Sequence, residues 1–164
     1  MSKQIDYKLL PVLVKKAEGE WKRFYVKNKK KLEGMDLQIH AIHDKVSKYT
    51  DCLLCANCCR SLGPRITDKD VEKMAKALRI KPAMVIEKYL KIDEDNDLVF
   101  KSMPCPFLAD DNYCSIYENR PKACREYPHT DRKRFYQIFN LTVKNASTCP
   151  IVYDVLQELT SDSK

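Results

Sequence analysis

Glycine is nearly absent from this chain: three residues in 164, at positions 19, 34 and 63. That excludes a glycine-rich, low-complexity protein, and no internal repeat at a solenoid period takes its place. Long apolar runs are missing too, none approaching the ~18 residues that cross a bilayer. At the N-terminus, Lys3, Asp6 and Lys8 lead into a short run, Leu9 to Val14, that Pro11 interrupts. It offers neither a signal-peptide core nor a small-residue cleavage site, so the chain is expected in the cytoplasm, with no membrane partner. Histidine is rare, with His40, His43 and His129 alone, and no H-E-x-x-H motif joins them. His40 and His43 fall on neighbouring helix positions and are read as solvated or packing residues.

What remains is ordinary globular composition, 44% hydrophobic and 32% charged, with enough length for one core. The eight cysteines are therefore not needed to rescue a tiny scaffold. Cytosolic thiols stay reduced, and four of these fall between positions 52 and 59. Metal ligation is the expected use, ahead of a disulfide framework or incidental core thiols. The charge is uneven. Residues 1–48 carry 12 Lys and Arg against 6 Asp and Glu, while the remainder, 18 against 17, is almost neutral.

Residues 8–48 read as helical, with Val14, Ala17, Trp21 and Phe24 in one apolar stripe. Met35, Ile39, Ile42 and Val46 continue it after a step near Gly34. Lys15, Lys16, Lys22, Lys27, Lys29, Lys30 and Lys31 occupy the other face, which is read as solvated. No aromatic interleaves with them as a base-stacking platform requires, so nucleic acid is the weaker reading. A protein partner is the other use such a basic helix has. The expected organisation is a basic amphipathic helical segment, 1–48, and a cysteine-cluster metal-binding domain, 49–164.

Thr67 is a good N-cap for a helix bearing Val71, Met74, Ala75 and Leu78. Lys81-Pro82 opens another, in which Val85, Ile86 and Leu90 pack. Asp93 to Asp97 lacks the glycine and glutamate of a calcium loop and reads as a turn. Leu98–Phe100, Phe107-Leu108 and, beyond the turn Asp110–Asn112, Tyr113–Tyr117 read as short strands in a small hairpin. Arg120-Pro121 opens a helical turn that Pro128 ends. Residues 131–143 are expected to be helical, and Cys149-Pro150 begins a terminal helix carrying Val152, Val155, Leu156 and Leu159. The expected fold class is mainly α with a small irregular β-hairpin: one cysteine-rich domain, stabilised by metal.

The run Cys52-x-x-Cys55-x-x-Cys58-Cys59 carries the chemistry. Two intervening residues let a tight turn bring successive sulfurs to one metal. The spacing also matches the C-x-x-C-x-x-C of ferredoxins, where a distant cysteine followed by proline completes the cluster, as Cys105-Pro106 and Cys149-Pro150 could. Zinc, iron and a 4Fe–4S cluster all fit. Cys58 and Cys59 are adjacent, so their side chains are expected to diverge and serve different sites or different metals. Cys114 and Cys124 complete the set, with Cys105 and Cys114 brought together by the hairpin. Arg60, Arg120 and Arg125 lie beside cysteines and could offset thiolate charge, and His129 is a further candidate around the metal. No catalytic residues are identified.

These motifs, with Cys105-Pro-Phe-Leu108 and Cys114-Ser-Ile-Tyr117-Glu-Asn-Arg120-Pro121-x-x-Cys124-Arg125-x-Tyr127-Pro128, resemble the CxxCxxCC (YkgJ-type) cysteine-cluster family over about residues 50–150. The resemblance implies a zinc- or iron-chelating domain whose metal centre takes all eight cysteines, Cys149 included. It also implies that Arg120, Pro121 and Arg125 belong to the signature. Some relatives are flagellin lysine N-methylases, which makes an iron–sulfur-dependent enzyme the alternative function. Those enzymes are longer, and this chain has no glycine-rich strand-to-helix loop of the Rossmann-like methyltransferases. A nucleic-acid-binding zinc module is the third reading.

Overall fold

A computed structural model describes residues 4–161. It is mostly helical, with one two-stranded antiparallel sheet among the described residues. The helices are α1 (Leu10–Leu32), α2 (Asp36–Ser47), α3 (Cys52–Cys55), α4 (Asn57–Ser61), α5 (Asp68–Leu78), α6 (Pro82–Tyr89), α7 (Lys122–Glu126), α8 (Phe139–Asn145) and α9 (Pro150–Ser161); the strands are β1 (Leu90–Ile92) and β2 (Leu98–Phe100). None of the described helices is long and apolar enough to cross a membrane. The chain divides into two compact units, residues 1–55 with 128–164, and residues 56–127.

The first unit is a helical assembly around α9. Eight of the twelve residues of α9 are buried, because α1, α2 and α8 all pack on it. From α1 come Leu10, Val14, Trp21 and Leu32, the helical spacing of a core-facing stripe, and from α2 come Ile39 and Val46. Trp21 is fully buried and its indole N–H donates to Gln157 Oε1 at 3.1 Å. Tyr25 stacks on Phe139 at 4.7 Å. The seven lysines of α1 are exposed, as expected of the solvated face. The helix expected over 131–143 begins later. A 3-10 turn, Phe135–Ile138, precedes α8, because the Asp36 carboxylate takes the backbone N–H groups of Arg134 (2.6 Å) and Phe135 (3.1 Å). Arg134 is left-handed there, with φ 56°, so helix cannot run through it.

The second unit has a smaller core: Ile66, Val71, Met74, Ala75, Val85, Leu90, Phe100, Phe107 and Ile116. Thr67 and Asp70 close a capping box at the start of α5. Pro82 opens α6. The strand expected at Leu98–Phe100 forms, but its partner is not one of the strands expected from the sequence. Leu98–Phe100 pairs with Leu90–Ile92, in register Leu90↔Phe100, so Leu90 leaves the helical pattern for a strand. Pairing buries Leu90 and Phe100 together, a tertiary gain that outweighs one more helical residue. The acidic segment is the turn of this hairpin: Asp93 Oδ1 accepts the N–H groups of Asp95 and Asp97. Residues 107–115 form a second, minimal hairpin with a single bridge, Leu108↔Cys114.

Candidate metal centre

Four segments of the second unit deliver five thiols. Cys58 and Cys59 lie on the short α4, entered through Ala56 in a left-handed conformation. The N–H of Cys105 donates to the Cys59 carbonyl at 2.8 Å, fixing those two positions side by side. The minimal hairpin, held by Ala109 N–H to Tyr113 O and Ser115 N–H to Phe107 O at 2.8 Å each, carries Cys114 back toward Cys105. Both pack against the core of the unit. The turn of that hairpin is tied to α4, since Arg60 Nη2 donates to Asn112 Oδ1. Cys124 sits on α7, whose first N–H, that of Lys122, donates to Asp70 Oδ1 at 2.9 Å. Asp70 thus caps α5 with one oxygen and anchors the Cys124 helix with the other.

The charges sort these thiols. Burial pushes Cys105 up to about 11 and Cys124 up to about 12, and also raises Cys114. Each of Cys59, Cys105, Cys114 and Cys124 lies within electrostatic reach of the other three. Cys59 stands apart, lowered to about 7 by a hydrogen bond from Cys58 and, against the pull of burial, by Arg60 and Arg120. Of these four it is the thiol readiest to ionise. The Cys58 and Cys59 sulfurs are 4.0 Å apart, so the divergence expected of adjacent side chains is not what α4 produces. On one short helical turn, rotation about Cα–Cβ brings both sulfurs to the same side.

In the first unit, Cys52 and Cys55 bracket the single turn α3, which Asp51 opens by accepting the Leu53 N–H at 2.8 Å. Cys149 precedes Pro150, the first residue of α9. Burial pushes it up to about 12, opposed by the N–H groups of Val152 and Ile151 and reinforced by Cys52 and Cys55. Its sulfur faces a helix N-terminus, where N–H groups and the helix dipole favour a thiolate. Cys52, Cys55 and Cys149 therefore form a second group.

The donor set fits a thiolate-bound metal. Backbone N–H groups of Phe107 and Leu108 face Cys105, that of Ile116 faces Cys114, and those of Ile151 and Val152 face Cys149. Such donors are suited to a thiolate, because a neutral thiol is a weak acceptor. Arg120 Nε is buried with no hydrogen-bond partner among the described residues. Among the described residues no three His, Cys, Asp or Glu side chains are already converged on a single-ion geometry, so a metal bound by these thiols would require them to draw closer together.

Of the flanking candidates, the charge of Arg120 reaches Cys59, Cys114 and Cys124, and that of Arg60 reaches Cys59. Arg125 instead donates to the Arg120 carbonyl at 2.6 Å and lends its charge to Asp70. His129 is half-buried, with φ 66°. His40 and His43 are engaged elsewhere: His40 Nε2 lies 3.0 Å from Arg132 O, and His43 Nδ1 lies 2.7 Å from the buried Thr130 Oγ1. Sequence reasoning missed Asp70 and Asn112. Thr67-x-x-Asp70 did signal the cap, but the second carboxylate oxygen finds Lys122 only in three dimensions.

No curated protein and no solved structure gives a significant match to the chain. A family model does match, over residues 51–150, with the description "putative zinc- or iron-chelating domain". That span runs from the residue before Cys52 to the residue after Cys149, and so encloses both thiol groups. Covering well over half of the chain, it establishes that this protein belongs to the CxxCxxCC family.

Proposed function

We propose that the protein binds zinc or iron through its eight cysteines, with Cys59, Cys105, Cys114 and Cys124 forming one self-contained centre. The observation that carries this reading is the mutual influence of four thiols delivered by four separate segments of one compact unit. Half-buried thiols whose negative charges would oppose one another cannot all ionise alone. A cation bound among them removes that obstacle, and binding then releases protons. Cys52, Cys55 and Cys149 make a second group, supported by their own electrostatic coupling and by the helix N-terminus at Cys149. The sulfur of Cys58 touches that of Cys59, and its group is decided by experiment.

Anaerobic purification followed by elemental analysis and visible spectroscopy tests the proposal. Zinc is colourless, whereas an iron–sulfur centre absorbs strongly in the visible. Single serine replacements of all eight cysteines then assign the ligands. Replacing Cys59, Cys105, Cys114 or Cys124 should remove the same increment of metal. A protein that purifies without stoichiometric metal, and takes none up after reduction, defeats the proposal.

A further inference from the structure

A four-thiolate centre that holds one zinc ion carries a net charge of about −2, which partial burial makes costly unless donors face it. Arg60 and Arg120 both extend their charge to these thiols, but they are held differently. The Arg60 guanidinium is engaged with Asn112. Arg120 is fixed without using its own inner donor. Its Cζ lies 3.6 Å from the centroid of the Tyr117 ring, which clamps the guanidinium plane. Its carbonyl is pinned by Arg125 Nη1 at 2.6 Å. The next residue, Pro121, is buried and stiffens the backbone. Nε is nevertheless buried with no hydrogen-bond partner among the described residues. A buried N–H left unmade costs about 1–3 kcal/mol in general, so a chain that immobilises one this firmly has a use for it.

We infer that Arg120 is the positioning residue of the Cys59–Cys105–Cys114–Cys124 centre, its buried Nε–H donating to a ligand sulfur once metal is bound. This rests on the metal reading above. Tyr117 and Arg125 hold the guanidinium in place and touch no ligand in this role. Lysine at 120 keeps the charge but has no donor at Nε and no planar fork.

The experiment uses the full-length protein loaded with cobalt(II), whose thiolate-to-metal charge-transfer band reports electron density on sulfur. Arg120→Ala and Arg120→Lys are compared with the unmodified protein. Arg65→Ala serves as control, since Arg65 is exposed and ion-paired to Asp97 at 2.9 Å. Arg120→Ala should weaken cobalt binding about 10-fold in chelator competition, the lower end for residues that support metal ligands. Its charge-transfer band should move to lower energy, because a sulfur without its donor is more easily oxidised. Arg120→Lys should recover part of the affinity but not the band position. Arg65→Ala should change neither. Should Arg120→Ala fold poorly, the lysine variant decides by itself, and an unshifted band overturns the inference. If the unmodified protein gives no thiolate-to-cobalt band, the metal reading itself has failed. If it does give the band and neither variant alters it, only the role of Arg120 is lost.

Discussion

The two units achieve order by different means. The first buries Trp21, Phe135, Phe139 and most of one face after another of α9, so its helices hold one another through apolar contact. The second has α5, α6 and a short hairpin around a smaller core. Its thiol-bearing parts, residues 57–61 and 101–127, are single turns, one bridge and a short helix. Such segments bury little and satisfy few backbone groups in regular ladders. The lesson is that apolar burial orders one unit throughout, whereas the thiol-bearing parts of the other have little regular structure of their own, and on the metal reading proposed above thiolate–metal bonds would order them.

Metal removal is the strongest way to break that contrast. Under reducing conditions with a chelator, amide exchange should accelerate sharply across residues 101–127, while α1, α2 and α9 keep their protection. The effect should be large, because structural zinc contributes on the order of 10 kcal/mol of apparent folding energy in small zinc domains. Equal protection before and after confirmed metal loss would show that the second unit stands on its own core.

Trp21→Ala attacks the other side of the comparison. Removing a fully buried indole should cost about 3–5 kcal/mol, read as a lower urea midpoint. Metal held by the Cys59–Cys105–Cys114–Cys124 centre should not change per folded molecule. A fall in that increment within the native fraction would mean the units are not energetically separate.

Asp70→Ala sharpens the picture inside the second unit. It leaves the Lys122 N–H without its acceptor and removes the α5 cap, at a cost of about 2 kcal/mol. Burial pulls the Asp70 carboxyl upward, but the Thr67 and Lys122 donors and Arg125 outweigh it, so its pKa lies below the ordinary 3.8. Its stabilisation is thus present above pH 3.8 and lost as pH falls through the lower folded value. Thermal melts should separate mutant from parent at neutral pH and converge in strong acid.

The smallest expected effect concerns the first unit alone. Burial, reinforced by Glu158, pushes Asp154 up to about 6 from 3.8. Its contribution is therefore favourable below pH 3.8 and lost as pH rises through about 6. Asp154→Asn should stabilise the protein at pH 7 by on the order of 1 kcal/mol, after allowance for solvent screening. It should leave metal content unchanged. A destabilised variant at pH 7 would show that the carboxylate has a compensating partner.

Much of this was legible because it is local. The apolar stripe from Val14 to Val46 predicted helix across residues 8–48 with a step near Gly34, and α1 and α2 lie on either side of that step. Thr67 predicted the cap of α5, and Pro82 and Pro150 predicted the starts of α6 and α9. The unforeseen strand Leu90–Ile92 and the late start of α8 arose from partners outside the local pattern, Phe100 for Leu90 and Asp36 for Phe135. No pattern within a short window encodes such a partner.

The same division runs through the candidate site. Sequence by itself determined which residues bear the chemistry: eight thiols, the C-x-x-C spacing, the two Cys-Pro pairs and the arginines beside them. Those are properties of residue type and short separation, which the chain fixes before it folds. Only the tertiary structure decided which thiols share an environment. Cys59, Cys105, Cys114 and Cys124 influence one another because the Cys105 N–H meets the Cys59 carbonyl, because Leu108 pairs with Cys114, and because Asp70 anchors the helix of Cys124. Electrostatic coupling depends on distance and burial, and both are set by packing between segments far apart in the chain.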